Sequence, residues 1–210
     1  MAVRSGQFAV LGVSSLVILA GCMGGPTRMK PPSIDPALVG QRALSQYDTD
    51  GDGGISGKEL DKCPGIKRRL QAYDTNIDTK VSAEEIANRV REWQATKLAI
   101  ISVMGELRMD GQPLSGANIQ FIPEDFLSEH LKVASGTTDD SGYFSVAIDD
   151  SELPDDQKGL TGAQVGVYKV SITHPSRSIP EKYNSATHLG IEVARDNPEI
   201  LQLVFSVTRR

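Results

Sequence analysis

The chain has 210 residues, a formal charge of −5, and 23% charged against 39% hydrophobic residues, the balance of a globular protein able to bury a core. Its length admits one large or two small domains. Mild acidity with no basic block excludes nucleic acid as an expected partner.

Residues 1–21 read as a targeting segment. Arg4 supplies a positive start, and residues 8–20 form an apolar run of thirteen, shorter than the about 20 residues that span a bilayer. The run ends in Leu19, Ala20, Gly21 and Cys22, which resembles the lipobox of bacterial lipoproteins. The resemblance implies cleavage before Cys22, diacylglycerol on its sulfur and acylation of the new amino group. Two or three acyl chains make a stable anchor where one is marginal, so the membrane is an expected partner, with the protein on its exported side, periplasmic or at the cell surface. Residues 22–35, rich in proline and glycine, read as an extended tether. With Cys22 lipidated, Cys63 is the only other cysteine, and its apolar position predicts a packed thiol.

A helical region, 36–96, follows. Asp35 reads as an N-cap and Pro36 as the first helical residue, and Val39, Ala43, Leu44 and Tyr47 share one helical face. Residues 48–59 then read DTDGDGGISGKE. Carboxylates stand at the first, third, fifth and twelfth positions (Asp48, Asp50, Asp52, Glu59), glycine at the sixth (Gly53), a β-branched residue at the eighth (Ile55) and Ser56 at the ninth. A hard cation such as Ca²⁺ takes six to eight oxygens at about 2.3–2.6 Å, so a loop that holds it must wrap tightly and turn alternate side chains inward. Gly53 permits the left-handed backbone this needs. The Gly54 carbonyl is the expected seventh-position ligand.

A second copy occupies 74–85, DTNIDTKVSAEE. Asp74, Asn76, Asp78, the Lys80 carbonyl, Ser82 and Glu85 fall on the same positions, and Val81 matches Ile55. Thr79 replaces the sixth-position glycine, and a β-branched residue at positive φ is disfavoured by about 1–2 kcal/mol. Three acidic ligands replace four. The spacing therefore predicts a strong first site and a weaker or partly formed second one. After the first loop, Leu60 and Cys63 continue an apolar face until Pro64 and Gly65, which predict a helix stop. Ile66, Leu70 and Tyr73 form the stripe entering the second loop, and Ile86, Val90 and Trp93 the stripe leaving it. Ile55 and Val81 predict a short antiparallel ribbon between the loops. The segment resembles a paired EF-hand domain shortened between its loops, which implies Ca²⁺ as the cofactor.

From about residue 98 the period becomes alternating. Ile101, Val103, Gly105 and Leu107 share a strand face, Asp110 and Gly111 make a tight turn, and Ala117, Ile119 and Phe121 alternate before Pro123. Further strands are expected at about 131–138, 143–148, 166–173, 189–194 and 199–207, the last with Leu201, Leu203, Phe205 and Val207 inward. Seven short strands predict an antiparallel β-sandwich, so the chain is expected to be α+β in two domains, 36–96 and 97–210. Val103, Gly105, Asp110, Gly111, Pro113, Leu114, Gly116, Ala117 and Phe121, then Thr138, Asp139, Gly142, Phe144, Gly166, Tyr168 and Val170, resemble carboxypeptidase-regulatory-like domains. These are transthyretin-like or immunoglobulin-like sandwiches, accessory to the peptidase and not catalytic. Residues 179–184, IPEKYN, are similar to a loop in lipoprotein versions.

No enzyme is expected. His130, His174 and His188 are scattered outside any zinc spacing, and neither a nucleophile elbow nor a phosphate loop is present. The acidic run at 149–156 reads as a solvated loop. The expected function is that of a calcium-binding, lipid-anchored envelope protein, the metal rigidifying the helical module and the sandwich binding an envelope protein or polysaccharide. The alternative is a calcium-responsive switch that exposes a surface for a target. Sensor grooves are typically rich in methionine, and none of Met1, Met23, Met29, Met104 and Met109 lies in the four loop-flanking helices.

Overall fold

The computed structural model describes Met1 and residues 30–209. The expected leader, Cys22 and the first part of the tether lie outside the described residues. Residues 30–35 carry no helix or strand but are held against the body, with Ile34 buried, its carbonyl accepting from Gln94 Nε2 at 2.6 Å and the Lys30 carbonyl from Gln157 Nε2 at 3.1 Å. Among the described residues no helix is long and apolar enough to cross a membrane.

Helix α1 (Pro36–Tyr47) starts where its capping chemistry requires. Asp35 Oδ1 accepts from Ala37 N at 3.0 Å and Leu38 N at 3.2 Å, satisfying two of the amides that a helix start leaves free. Val39, Ala43 and Tyr47 are buried and Leu44 partly so. After the first loop the chain departs from expectation. A single 3₁₀ turn, Leu60–Lys62, runs into an irregular Cys63, and Pro64 opens helix α2 (Pro64–Arg68) instead of ending one. Proline's fixed φ suits the first helical position, where its missing N–H is not needed. A break at Arg69 leads to α3 (Leu70–Tyr73), and after the second loop α4 (Ala83–Thr96) buries Ile86, Val90 and Trp93.

Two-residue strands β1 (Ile55–Ser56) and β2 (Lys80–Val81) pair antiparallel with Ile55 opposite Val81, joining the loops through the two β-branched residues. The remaining strands are β3 (Ile100–Ile101), β4 (Met104–Met109), β5 (Gln112–Pro113), β6 (Asn118–Pro123), β7 (Ala134–Thr137), β8 (Tyr143–Ser145), β9 (Ala147–Ile148), β10 (Ala163–Gln164), β11 (Gly166–Thr173), β12 (Gly190–Val193) and β13 (Leu203–Val207). The described residues are therefore α+β, four helices with mostly antiparallel open sheets. One sheet has five strands in the order β12-β11-β6-β7-β9; the other orders β13-β4-β5, with β8 also paired to β4; β3 and β10 pair separately. Asp110 (φ 50°) and Gly111 (φ 81°) make the β4–β5 turn, both central residues taking the positive φ that a type I′ hairpin requires.

The strands differ from the expected antiparallel set of seven in several details. Eleven follow residue 97 among the described residues: the expected strand through Ile101 and Leu107 is interrupted at Ser102 and Val103, and the one at 143–148 splits into β8 and β9, which pair in different sheets. Strand β13 lies parallel to β4, because it returns to the first long strand only after the whole intervening chain has crossed over. Leu201, expected inward, is 60% exposed: residues Pro198–Leu201 form a 3₁₀ turn capped by Asn197, so strand alternation begins only at Leu203. Leu203, Phe205 and Val207 are buried as expected. Phe205 of β13 meets Phe121 of β6 edge-on at 6.5 Å and stacks on Phe144 at 6.2 Å, so side chains of the two sheets fill a common interior.

Helices and sheets share one continuous apolar core. Where α2 meets the sheet, the seam is glycine against glycine. A Cβ on Gly65 of α2 would stand 2.3 Å from Val167 Cγ1, and one on Gly190 of β12 would stand 2.2 Å from the Gly65 nitrogen. Only residues without side chains let the helix lie this close to the sheet.

Candidate metal centre

Loop 1 (residues 48–59) begins at the C-terminus of α1 and curls around its own first carboxylate. Asp48 Oδ1 accepts from Gly51 N (2.8 Å) and Asp52 N (3.1 Å), and its Oδ2 from Gly53 N (3.0 Å). Asp50 Oδ1 accepts from Asp52 N and Asp52 Oδ1 from Gly54 N, each at 3.1 Å. These side-chain acceptors replace the backbone partners of a helix or strand, and Gly51 (φ 74°) and Gly53 (φ 89°) provide the positive φ the curl demands. One ligand oxygen each from Asp48, Asp50 and Asp52 lies within 4.8 Å of the others. Among the described residues this is the only such grouping of three acidic, histidine or cysteine side chains. Three carboxylates this close repel one another unless a cation joins them, so the group could bind a metal ion.

Glu59 closes the loop from the other end. Its Oε1 accepts from Thr49 N (2.6 Å) and Thr49 Oγ1 (2.9 Å), and its Oε2 from Ser56 N (3.0 Å). Led by the Ser56 amide, these bonds hold its pKa down at about 2, so the group is an anion at neutral pH although only 7% of it is exposed.

Loop 2 (residues 74–85) repeats most of the pattern, without a counterpart at Ile77 to the Gly51 amide bond. Asp74 Oδ1 accepts from Asp78 N (3.0 Å) and Oδ2 from Thr79 N (2.9 Å), Asn76 Oδ1 from Asp78 N (3.0 Å), and Asp78 Oδ1 from Lys80 N (2.9 Å). Glu85 Oε1 accepts from Thr75 N (3.0 Å) and Thr75 Oγ1 (3.3 Å), and its Oε2 from Ser82 N (2.9 Å). Ser82 also caps α4 through Glu85 N at 3.3 Å, completing a capping box. Glu85 thus serves two structures at once, the start of α4 and the closure of its loop. Thr79 does take φ 69°, with its hydroxyl donating to the Asp78 carbonyl at 2.6 Å.

Every predicted ligand position therefore lies in one of two matched loops, which meet at the β1–β2 ribbon. Of the expected carbonyl ligands, Gly54 immediately precedes β1 and Lys80 lies in β2; a Cβ on Gly54 would stand 2.9 Å from Lys80 Cβ, so only glycine permits the approach. Three features were missed in the sequence. Ile77, at the fourth position of loop 2, also holds φ 62°, the place Gly51 occupies in loop 1; comparing the two loops outside their ligand positions would have found it. The second-position threonines that hold Glu59 and Glu85 were visible as the repeated Asp-Thr at 48–49 and 74–75. The Lys80 ammonium forms an ion pair with Asp52 across the ribbon, and the hydrogen bond to that carboxylate raises the lysine's pKa. Nothing in the linear order of residues pairs them. Outside the loops, the acidic run at 149–156 turns its groups to local capping: Asp149 Oδ1 accepts from Ser151 N at 2.8 Å and Asp150 Oδ1 from Gly159 N at 2.7 Å.

The chain matches no family model, no curated protein and no solved structure, so these two hydrogen-bonded loops and their setting are what a functional reading rests on.

Proposed function

We propose that the protein is a calcium-binding, lipid-anchored envelope protein: Ca²⁺ occupies a pair of EF-hand-type loops and rigidifies the helical module against a β-sandwich that acts as a binding or structural domain. The observation that carries this reading is the repeat of one hydrogen-bond cage in two loops of different sequence, with Asp48 and Asp74, Asp52 and Asp78, and Glu59 and Glu85 in matching places. Their donors are oxygens only: carboxylates, the Asn76 amide, Ser56 and Ser82 hydroxyls and the Gly54 and Lys80 carbonyls. That set suits a hard ion of flexible coordination, which is Ca²⁺ more than Mg²⁺ with its strict octahedron, and lacks the imidazole or thiolate that zinc favours. When bound, the ion would neutralise the acidic cluster and cross-link both ends of each loop.

A structural ion fits better than a trigger. Extracellular modules work with dissociation constants of about 10⁻⁴–10⁻³ M, so a site beyond the inner membrane stays filled. The loop-flanking helices contain no methionine, and α2 packs against the sheet along a glycine seam, which supports a scaffold over a methionine-lined groove. Loop 1 is the stronger site and loop 2 the weaker. The anchor is lipidated Cys22, and the partner is an envelope protein or polysaccharide rather than a substrate.

Thermal melts of the full chain in calcium, magnesium and chelator, with a hydrophobic dye present, test the reading. Calcium is expected to raise the melting temperature, magnesium to do so much less, and the dye signal of the folded state to stay flat. A calcium-dependent rise in dye binding before unfolding would support the switch, and equal melts in calcium and chelator would remove the metal altogether. For the anchor, replacing Cys22 with serine is expected to move the protein from the membrane fraction to the soluble one; an unchanged distribution would contradict lipidation.

A further inference from the structure

Each loop has an entering arm and a leaving arm, and in both loops the two arms meet at one buried carboxylate of the five-stranded sheet. Tyr47 stands immediately before Asp48, and its hydroxyl donates to Glu124 Oε2 at 2.8 Å. Cys63, four residues beyond Glu59, is also buried, and after burial itself the negative charge of the same carboxylate is what raises its thiol's pKa; Glu124 Oε1 has no hydrogen-bond partner among the described residues. In the second loop Tyr73 stands immediately before Asp74, and its hydroxyl donates to Glu192 Oε1 at 3.0 Å. Arg89, again four residues beyond the twelfth-position glutamate, donates from Nε to Glu192 Oε1 at 2.7 Å and from Nη2 to Oε2 at 2.9 Å. Trp93 Nε1, one turn further along α4, adds a bond to Glu192 Oε1 at 3.1 Å.

Glu124 follows the end of β6 and Glu192 lies in β12, on either side of β11, and both are fully buried. From β11 between them Lys169 Nζ comes within 3.4 Å of Glu124 Oε2 and stands over the Tyr47 ring at 5.9 Å. A buried acceptor that loses its donor incurs a desolvation penalty, so the entering arm of loop 1 and both arms of loop 2 are tied to their carboxylates by hydrogen bonds, while the leaving arm of loop 1 is held there by the packing of buried Cys63.

The consequence lies in how such a loop grips an ion. Its first and twelfth ligands sit at the ends of opposite arms, and if the arms drift apart one end of the cage is lost. A carboxylate that fixes the residue before the first ligand and a residue one turn past the last fixes their separation. Binding then carries a smaller ordering cost. We infer that Glu124 and Glu192 are positioning residues for loops 1 and 2 respectively, and that each loop's calcium affinity is coupled to the sheet through its own carboxylate. The inference rests on the calcium reading and adds a division of labour: Glu124 acts on loop 1 and Glu192 on loop 2.

The test follows calcium binding to the full chain by the amide resonances of Gly53 and Thr79, one reporter in each loop. Tyr47→Phe is expected to weaken loop 1 by about threefold to tenfold, the loss of one net hydrogen bond, and to leave loop 2 within about twofold. Tyr73→Phe is expected to do the reverse. Glu192→Gln, which removes the charge that Arg89 pairs with, is expected to weaken loop 2 by about tenfold or more. Coupling is reciprocal, so in each variant the calcium-induced rise in melting temperature shrinks along with the affinity. A merely structural role would lower the melting temperature in calcium and in chelator alike and leave both affinities unmoved, or weaken both loops equally; either result overturns the inference while the calcium reading stands. Should Glu192→Gln fail to fold, the two Tyr→Phe variants, which keep the ring packing, decide the question. If the unsubstituted chain shows no calcium-dependent shift of either amide, the calcium reading and the inference fall together.

Discussion

The two loops reach one backbone path by different means. Loop 1 places glycine at its fourth and sixth positions, where φ is 74° and 89°; loop 2 holds Ile77 and Thr79 in the same region at 62° and 69°. The difference shows what shapes such a loop. Asp48 and Asp74, each gathering amides from the turn that follows, impose the curl, and glycine only removes its steric cost. Loop 2 stores that cost as strain, exposing Ile77 to 85%, and has Asn76 where loop 1 has Asp50. A second contrast lies beneath the loops, where loop 1 rests on an uncharged tyrosine and thiol at Glu124 and loop 2 on an arginine bound through two nitrogens at Glu192.

The largest expected effect breaks this second contrast. Glu192→Ala leaves the Arg89 guanidinium buried opposite a void, a loss of about 3–5 kcal/mol. Denaturant unfolding measures it, and a change below about 1 kcal/mol would mean that Asp196, which accepts from Arg89 Nη2 at 2.8 Å, and Glu92, which accepts from Nη1 at 2.7 Å, suffice for the guanidinium. Next comes the metal. Replacing Asp48 and Glu59 together with alanine is expected to abolish most of the calcium-dependent stabilisation, worth about 2.7 kcal/mol at a hundredfold excess over the dissociation constant; an undiminished melting response would place the ion elsewhere.

Acid sharpens the comparison in the metal-free protein. Glu59 titrates at about 2 in the fold against an ordinary 4.5. Its stabilising contribution is therefore complete above the ordinary value and disappears as pH falls from there toward 2. Stability measured in chelator should fall across that window, and Glu59→Gln should flatten the slope; an equally steep fall in the variant would assign it to other carboxylates. The smallest expected change is a gain. Thr79→Gly relieves a left-handed β-branched residue, and after the extra chain entropy glycine loses on folding, about 0.7 kcal/mol remains, at most about threefold in loop 2 affinity. No gain would locate the weakness of that loop at Asn76 or Ile77.

Much of the fold was legible because its signals are local. The Asp35 cap, the Asp110–Gly111 turn, the alternation through Ile119 and Phe121 and both ligand loops depend on residues a few positions apart, and each appears near its expected place. Pro64 departs from expectation because proline ends one helix and begins another with equal ease, and only the fold decides which. Leu201 departs because Asn197 caps a 3₁₀ turn that runs through it, and strand alternation starts only at Leu203. The parallel β13–β4 pairing and the carboxylates beneath the loops were not legible at all. Tyr47 and Glu124 are 77 residues apart in the chain, and Tyr73 and Glu192 are 119. An isolated glutamate at the end of one strand or within another carries no mark of the arms it receives.

Calorimetric titration of calcium into the chelator-treated full chain tests the central claim most directly. The account predicts two binding events of unequal affinity, the tighter lost in Asp48→Ala and the weaker in Asp74→Ala. A flat titration at millimolar calcium, or a heat unchanged by both substitutions, would contradict it.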